Sequence, residues 1–223
     1  LQKLGARLPA AYAPAILAQV PADAIGFAAF RDLGPTLVAA VRAAQDQDPQ
    51  VAAAVAAAEK ATGVTLDGLG TALAGEHAVF AQGGADPGAA LLTRPQDPKG
   101  ANMILSNALV AARSAVPAPR AGGDGAAMPP ISLTQNGGTI AIGTLPKAAT
   151  APSASIADAD AYRAILDRAG VPADVTGIAY VNAAALRAQA QTMGKPIPSG
   201  ADAVNGVIAW GTPDGADLFI SIG

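Results

Sequence analysis

Alternating apolar residues mark several short strands along this chain. Ile25, Phe27 and Ala29 alternate with other residues in the segment AIGFAAF, which predicts a half-buried strand. The segments HAVFAQ and GAALLTR flank the turn-rich GGADP and therefore predict a β-hairpin. A second hairpin is predicted around the NGG of residues 136–138, and a third around TPDG, between VNGVIAWG and ADLFISIG.

Other segments carry their apolar residues at helical spacing. Five helices are predicted, in LGPTLVAAVRAAQ, PQVAAAVAAAEKATG, DPKGANMILSNALVAARSA, DADAYRAILDRAG and NAAALRAQAQTMG. Gly63 and Gly170 are placed to end two of them, because glycine readily adopts the left-handed conformation of a helix C-terminus. Residues 1–19 predict an N-terminal helical segment in pieces, because Pro9 and Pro14 interrupt it.

One phrase occurs twice in the chain. Val-Pro-Ala-Asp begins at Val20 and again at Val171, and a predicted strand, helix and hairpin follow each copy. Duplication of a strand–helix–hairpin unit explains this order better than chance does, and the two units span about residues 20–94 and 171–223. Proline fixes its φ angle and aspartate binds nearby backbone, so the phrase sets how a strand enters a sheet.

These elements predict an α+β fold. We expect an antiparallel sheet system from two related halves, with helices covering mainly one face, because hairpin partners run antiparallel. Residues 20–223 are expected to form a single domain. Residues 117–130 have almost no periodicity and many Gly, Pro and Ala residues, which predicts a mobile surface loop. One continuous sheet and two separate sheets both fit the pattern.

Composition removes several functional classes. Charged residues make up 14% of the chain and the net charge is −3, so nucleic-acid binding and attraction to an anionic membrane are not expected. Cysteine is absent, which excludes disulfides and cysteine-based metal or catalytic sites. The strongest apolar run, VAAAVAAA, is much shorter than the roughly 20 residues of a membrane span, so no transmembrane segment is predicted.

Several of these segments together resemble a known bacterial family. They are VPADAIGFAAF, the helix start Asp97-Pro98-Lys99, the hairpin end Ile142-Gly143, the helix that holds Ile156-Ala157-Asp158 and Tyr162-Arg163, and VPADVTGIAYVN. Over about residues 18–223 the chain resembles the domain of unknown function 3352 family, although Ile156 replaces the usual Leu. The resemblance implies an extracytoplasmic protein of the cell envelope, often with a lipid anchor upstream of Leu1. It implies no activity.

The residues that could carry chemistry are few and scattered. His77 is the only histidine and stands beside Glu76, which is too little for a zinc or copper site. No G-x-S-x-G motif supports a serine nucleophile, and the aspartates of DADA and DGAD lack the calcium-loop pattern. We therefore predict no catalytic, metal-binding or cofactor-binding residue.

Three functional hypotheses follow. The first is a non-catalytic, exported envelope protein that acts as an interaction or accessory module in a larger assembly, with other envelope proteins as partners. The second is a carrier of an apolar small molecule, a lipid or a pigment, held near Phe27, Phe80 and Trp210, although simple core packing is the favoured explanation of these residues. The third is a carboxylate-based hydrolase, which requires two acidic residues close together in a cleft.

Overall fold

The computed structural model describes residues 10–84, 87–115, 130–145 and 152–222. These residues form one continuous eight-stranded antiparallel sheet in the order β4-β5-β3-β2-β1-β6-β7-β8. The strands are β1 Ala24–Arg31, β2 Gly75–Gln82, β3 Gly88–Pro95, β4 Ser132–Asn136, β5 Thr139–Gly143, β6 Gly177–Asn182, β7 Val204–Thr212 and β8 Gly215–Ile222. The three predicted hairpins are therefore confirmed as β2–β3, β4–β5 and β7–β8.

Six α-helices accompany the sheet in the described part of the chain. They are α1 Leu33–Gln47, α2 Pro49–Thr62, α3 Leu66–Ala72, α4 Pro98–Ala115, α5 Asp160–Ala169 and α6 Ala183–Thr192. The α+β prediction is confirmed. The short helix α3 was not predicted, because its sequence LDGLGTA holds two glycines and is too short to show a helical period.

The front face of the sheet, the face that carries Phe27 and Phe80, holds the larger core. Side chains from β1, β2, β3, β5, β6 and β7 pack there against helix α5 and the 3-10 helices at Ala15–Gln19 and Ile156–Asp158. Residues Ile16, Leu17 and Val20 are buried in this core. The segment that precedes β1 is therefore part of the same packed unit, and its first nine residues lie outside the described ones.

The back face, which carries Ala28 and His77, holds a second and smaller core. Helices α1, α3 and α4 pack there on the β4–β5–β3 side of the sheet, and Leu105 and Ile140 are buried at the centre of the contact. Helices α1 and α3 approach closely, because a Cβ added to Gly34 would overlap the carbonyl oxygen of Gly70. Most of the helical mass thus lies at one end of one face.

The two halves of the sheet meet at β1 and β6 in a symmetric register. In the repeated phrase, Ala28 aligns with Ala179, and these two alanines also lie directly opposite each other in the β1–β6 pair. Directly opposed residues of two antiparallel strands are related by a local two-fold axis. An approximate two-fold axis therefore passes between Ala28 and Ala179 and relates β1, β2 and β3 to β6, β7 and β8. This is the arrangement expected of a duplicated unit.

The strand pairing on each side of the two-fold axis shows which residues of the two halves are equivalent. Phe80 lies opposite Phe27 in β1, and Trp210 lies opposite Ile178, the counterpart of Phe27 in β6. Phe80 and Trp210 are thus equivalent positions. By the same route His77 matches Val207, and Thr93 matches Ile220. The halves differ in their connections, since three helices separate β1 from β2 but β6 and β7 are joined through α6 and a 3-10 helix.

The predicted mobile loop of residues 117–130 lies outside the described residues except for Pro130. Helix α4 ends at Ala115 immediately before it, and β4 begins at Ser132 after it.

Candidate functional site

Five large apolar side chains are exposed together on the back face of the sheet. We call this set the bare patch; it consists of Val79, Val181, Leu218, Ile220 and Ile222. The three residues from β8 are the most exposed, with relative exposures of 65% for Leu218, 48% for Ile220 and 68% for Ile222. Soluble monomers rarely expose contiguous apolar surface of this kind without a binding role.

Four residues of the bare patch lie in two neighbouring cross-strand rows, and Ile222 follows Ile220 by two residues on the same strand. One row runs from Val79 in β2 through Ala28, Ala179 and Ala209 to Leu218 in β8. The next row joins Val181, Val207 and Ile220. The alanines between the larger side chains make the surface low and flat, which suits packing against another flat apolar surface.

Equivalent positions in the first half have the opposite character. Thr93 and His77 carry polar groups and are fully buried, whereas their counterparts Ile220 and Val207 are apolar and at least partly exposed. In these two equivalent pairs on the back face, the polar residue is therefore the buried one and the apolar residue is the more exposed one. In a protein whose whole surface met water, the apolar positions would be the buried ones.

The outer edge of β8 also differs from that of its counterpart. Strand β3 pairs on its outer side with β5, but β8 ends the sheet within the described residues. A strand edge of eight residues presents unpaired N–H and C=O groups, which native proteins cover or protect with charge. Asp217 is the only charged residue in β8.

The three residues proposed to line an apolar ligand site lie together in the front-face core. Phe27 packs against Tyr162 and Tyr180, with ring centroids 5.4 and 5.9 Å away, and Phe80 and Trp210 are buried in the same cluster. Their contacts are those of core packing. Ligand binding at this place stays a prediction.

His77 has a structural setting on the back face. Its Nε2 lies 2.8 Å from the carbonyl oxygen of Leu73, so Nε2 carries the proton and donates it, and the ring stacks on Phe30 at 5.6 Å. Burial lowers the pKa of the imidazole, and the hydrogen bond to Leu73 opposes this shift only in part. The Nδ1 of His77 and the Oγ1 of Thr93, which lies directly opposite, have no hydrogen-bond partner among the described residues.

A polar cluster closes the front face at the end of β1. Glu76 accepts a hydrogen bond from the N–H of Ile16 at 2.9 Å and lies 4.0 Å from Arg94. The guanidinium of Arg31 stands 5.0 Å above the ring of Tyr12. Burial raises the pKa of the Tyr12 phenol, and the negative charge of Glu76 raises it further. The cluster anchors the N-terminal segment to the sheet.

The remaining acidic residues with described contacts also have structural roles. The Glu59 carboxylate accepts the N–H of Leu66 at 2.6 Å, and Asp67 forms an exposed ion pair with Arg42. Among the described residues, no group of three or more His, Asp and Glu side chains is arranged to hold a metal ion. In the same part of the chain, no helix has both the length and the apolar character that crossing a bilayer requires.

No family model, curated protein or solved structure gives a significant match to this chain. The resemblance to the domain of unknown function 3352 family therefore stays a prediction based on its short motifs.

Sequence reasoning identified the strands of the bare patch but not the patch itself. The alternation in ADLFISIG assigns Leu218 and Ile220 to one face and Phe219 to the other, yet it does not say which face is covered. The missing information is the position of the helices, because α1, α3 and α4 cover the β4–β5–β3 end of the back face.

Proposed function

We propose that this chain is a non-catalytic interaction module that associates with a second copy of itself through the bare patch. The observation that supports this most directly is the reversed burial at Thr93 and Ile220. The polar member of this equivalent pair is buried under helices, and the apolar member is exposed. An apolar sheet face gains stability when a second sheet packs on it, at about 25 cal/mol per Å² removed from water.

The shape of the back face suits a two-fold pair. Each copy carries helices α1 to α4 at one end of this face and the bare patch at the other. When two bare patches pack face to face about a two-fold axis, the helices of each copy lie beyond the β8 edge of the other. The pair therefore covers both the patch and the β8 edge.

Charge and area both favour a second copy as the occupant. The bare patch holds no charged side chain, so two copies meet without like-charge repulsion. Its five side chains expose on the order of 500 Å², about the size of the largest apolar patch on a typical monomer, which is often functional. This is less than the roughly 800 Å² per partner of a standard interface, so the patch favours a weak contact. We expect a reversible dimer.

The test is sedimentation velocity over a wide range of protein concentration. The wild-type chain is expected to shift from monomer to dimer as concentration rises. A triple variant, Leu218→Thr with Ile220→Thr and Ile222→Thr, keeps strand-forming residues but removes apolar area, and it is expected to stay monomeric. The matched control, Met103→Gln with Leu186→Gln, removes exposed apolar side chains from α4 and α6 and should dimerise like the wild type.

Two outcomes would overturn this proposal. One is a wild-type chain that stays monomeric at every concentration. The other is a control variant that loses association as completely as the triple variant, because the contact would then lie elsewhere. Circular dichroism of each variant shows whether the fold is retained.

The proposed place of action is the cell envelope, which is supported only by the family resemblance. Co-purification from native membranes tests it together with the role in a larger assembly. Recovery in the membrane fraction as part of a complex with other envelope proteins is the expected result. Recovery only as a free monomer in the cytoplasmic fraction contradicts it.

A further inference from the structure

An open apolar groove lies among helices α1, α2, α3 and α4, away from both the bare patch and the front-face core. It has a volume of about 1060 Å³. Its walls are formed mainly by small and branched apolar side chains, including Val41, Val55, Leu69, Ala108 and Val110. This volume slightly exceeds the usual range for small-molecule sites, which is roughly 300–1,000 Å³.

The groove is a place where helices have not closed on one another. Helix α2 is 14 residues long and buries none of its residues, although its Val55 and Ala58 face the groove. On the opposite wall Val110 of α4 is 61% exposed. A surface helix normally buries an apolar stripe against its neighbours. The apolar stripe of α2 is not buried in this way, because none of its residues is buried.

The charge of the residues that line the groove determines which ligand head groups it favours. Within the part of the chain that the structure describes, Glu59 is the only charged residue that lines the groove, and its Oε1 accepts a hydrogen bond from the N–H of Leu66 at 2.6 Å. Among the described residues, no Lys or Arg side chain lines the groove to receive a carboxylate or phosphate. The amide of Asn107 adds a neutral hydrogen-bonding group on the α4 wall.

We propose that this groove binds a single-chain amphiphile with a neutral or cationic head group. The acyl chain lies between α2 and α4, and the head group lies near Glu59 and Asn107. A fatty acid is disfavoured, because its carboxylate would face the Glu59 carboxylate without a compensating cation. This inference is independent of self-association, since the groove shares no residue with the bare patch.

Three twelve-carbon probes test the head-group preference: monolaurin, dodecyltrimethylammonium and laurate, each below its micelle concentration. Calorimetry is expected to show one site per chain for the first two, with laurate at least tenfold weaker. Each methylene added to a monoacylglycerol chain should tighten binding by up to about fourfold until the groove is filled. Glu59→Gln keeps the acceptor for Leu66 and should narrow the gap between laurate and dodecyltrimethylammonium without weakening monolaurin.

Two variants on α4 locate the site. Ala108→Phe fills the groove and is expected to weaken monolaurin at least tenfold, whereas Met103→Phe on the exposed side of α4 should leave it unchanged. Val110→Asp, at an exposed wall position, gives the same loss if Ala108→Phe fails to fold. Trp210 is the only tryptophan and lies on the other face of the sheet, so its emission should not change on binding.

Failure of all three probes to bind would overturn the proposal, as would equal affinity for the three head groups. Binding that shifts Trp210 emission and survives Ala108→Phe would place the ligand in the front-face core instead. Because the Leu218, Ile220 and Ile222 triple variant leaves the groove intact, its monolaurin affinity should equal that of the wild type whether or not the chain dimerises.

Discussion

Strands β3 and β8 occupy matching places around the axis between Ala28 and Ala179, but their surroundings differ. Strand β3 has β5 on its outer side and lies next to helices that cover the back face. Strand β8 lies at the edge of the described sheet, with Leu218, Ile220 and Ile222 exposed. Two strands at equivalent places in the sheet therefore differ on the back face: helices of the same chain cover this face near β3, whereas the side chains of β8 are exposed.

The residue types at equivalent positions differ according to whether helices cover the strand. Under the helices, a buried histidine and a buried threonine are tolerated, because the surrounding apolar contacts stabilise the region. In the second half the corresponding positions are valine and isoleucine, although an exposed position has no folding requirement for them. The proposed self-association gives these exposed apolar side chains a role, and the contrast can be tested position by position.

The largest effect is expected from a matched pair of isoleucines on the back face. Ile140→Ala in β5 removes a fully buried side chain and should lower the free energy of unfolding by about 3 kcal/mol. Ile222→Ala in β8 removes an exposed one and should change it by less than about 0.5 kcal/mol at monomeric concentrations. Urea denaturation monitored by circular dichroism measures both. Equal losses would show that β8 is already covered within one chain.

The next largest effect is a pH dependence that only the first half carries. Burial lowers the pKa of His77 below the roughly 6.5 of an unfolded histidine, so below that pH the unfolded chain binds a proton that the native chain does not. Stability from this group is therefore present above about pH 6.5 and lost as the pH falls. Between pH 7.5 and 5.5 we therefore expect the free energy of unfolding to fall.

The counterpart of His77 supplies the variant for this test. His77→Val introduces the residue that stands at the matching position of β7, and it removes the only histidine in the chain. The variant is expected to be less stable at pH 7.5 but to lose this part of the pH dependence. A pH slope unchanged from wild type would show that His77 is not the group responsible.

The smallest effect concerns the buried hydroxyl of Thr93. Thr93→Val removes an oxygen that has no partner among the described residues and makes the position resemble Ile220. Removing an unsatisfied buried polar group should raise the free energy of unfolding by about 1 kcal/mol. Thr36→Val, at an exposed position of α1, is the control and should have little effect. A loss of stability in Thr93→Val would show that the hydroxyl is hydrogen-bonded in solution.

Local patterns were sufficient to predict most of the strands and helices. The hairpins followed from alternation around turn residues such as those at 136–138, and Gly63 and Gly170 end their helices with the left-handed φ angles expected. The repeated phrase indicated equivalent halves, but the direct pairing of Ala28 with Ala179 is a long-range register that no local pattern contains. For the same reason, the choice between one sheet and two required the structure.

The candidate surfaces were the least predictable part. The aromatic residues Phe27, Phe80 and Trp210 were predicted as an apolar ligand site. Large aromatic side chains also pack protein cores, and these three lie in the front-face core. The bare patch and the groove depend on which faces the helices leave open. That arrangement results from tertiary packing, such as the close contact of Gly34 with Gly70. It cannot be predicted from the spacing of apolar residues along the chain.

The pair of alanines on the approximate two-fold axis has a consequence for the origin of the chain. If an ancestral half-length protein associated as a dimer through its first strand, the residue on the axis would have met its own copy, and one codon would have set both sides of the contact. Gene fusion then placed the two copies in one chain and freed them to diverge. Ala28 and Ala179 remained identical, while Val79 and Ala209 diverged beside them. On this account, an interface between molecules would have become the middle of the sheet, with helices added on the back face of one half only.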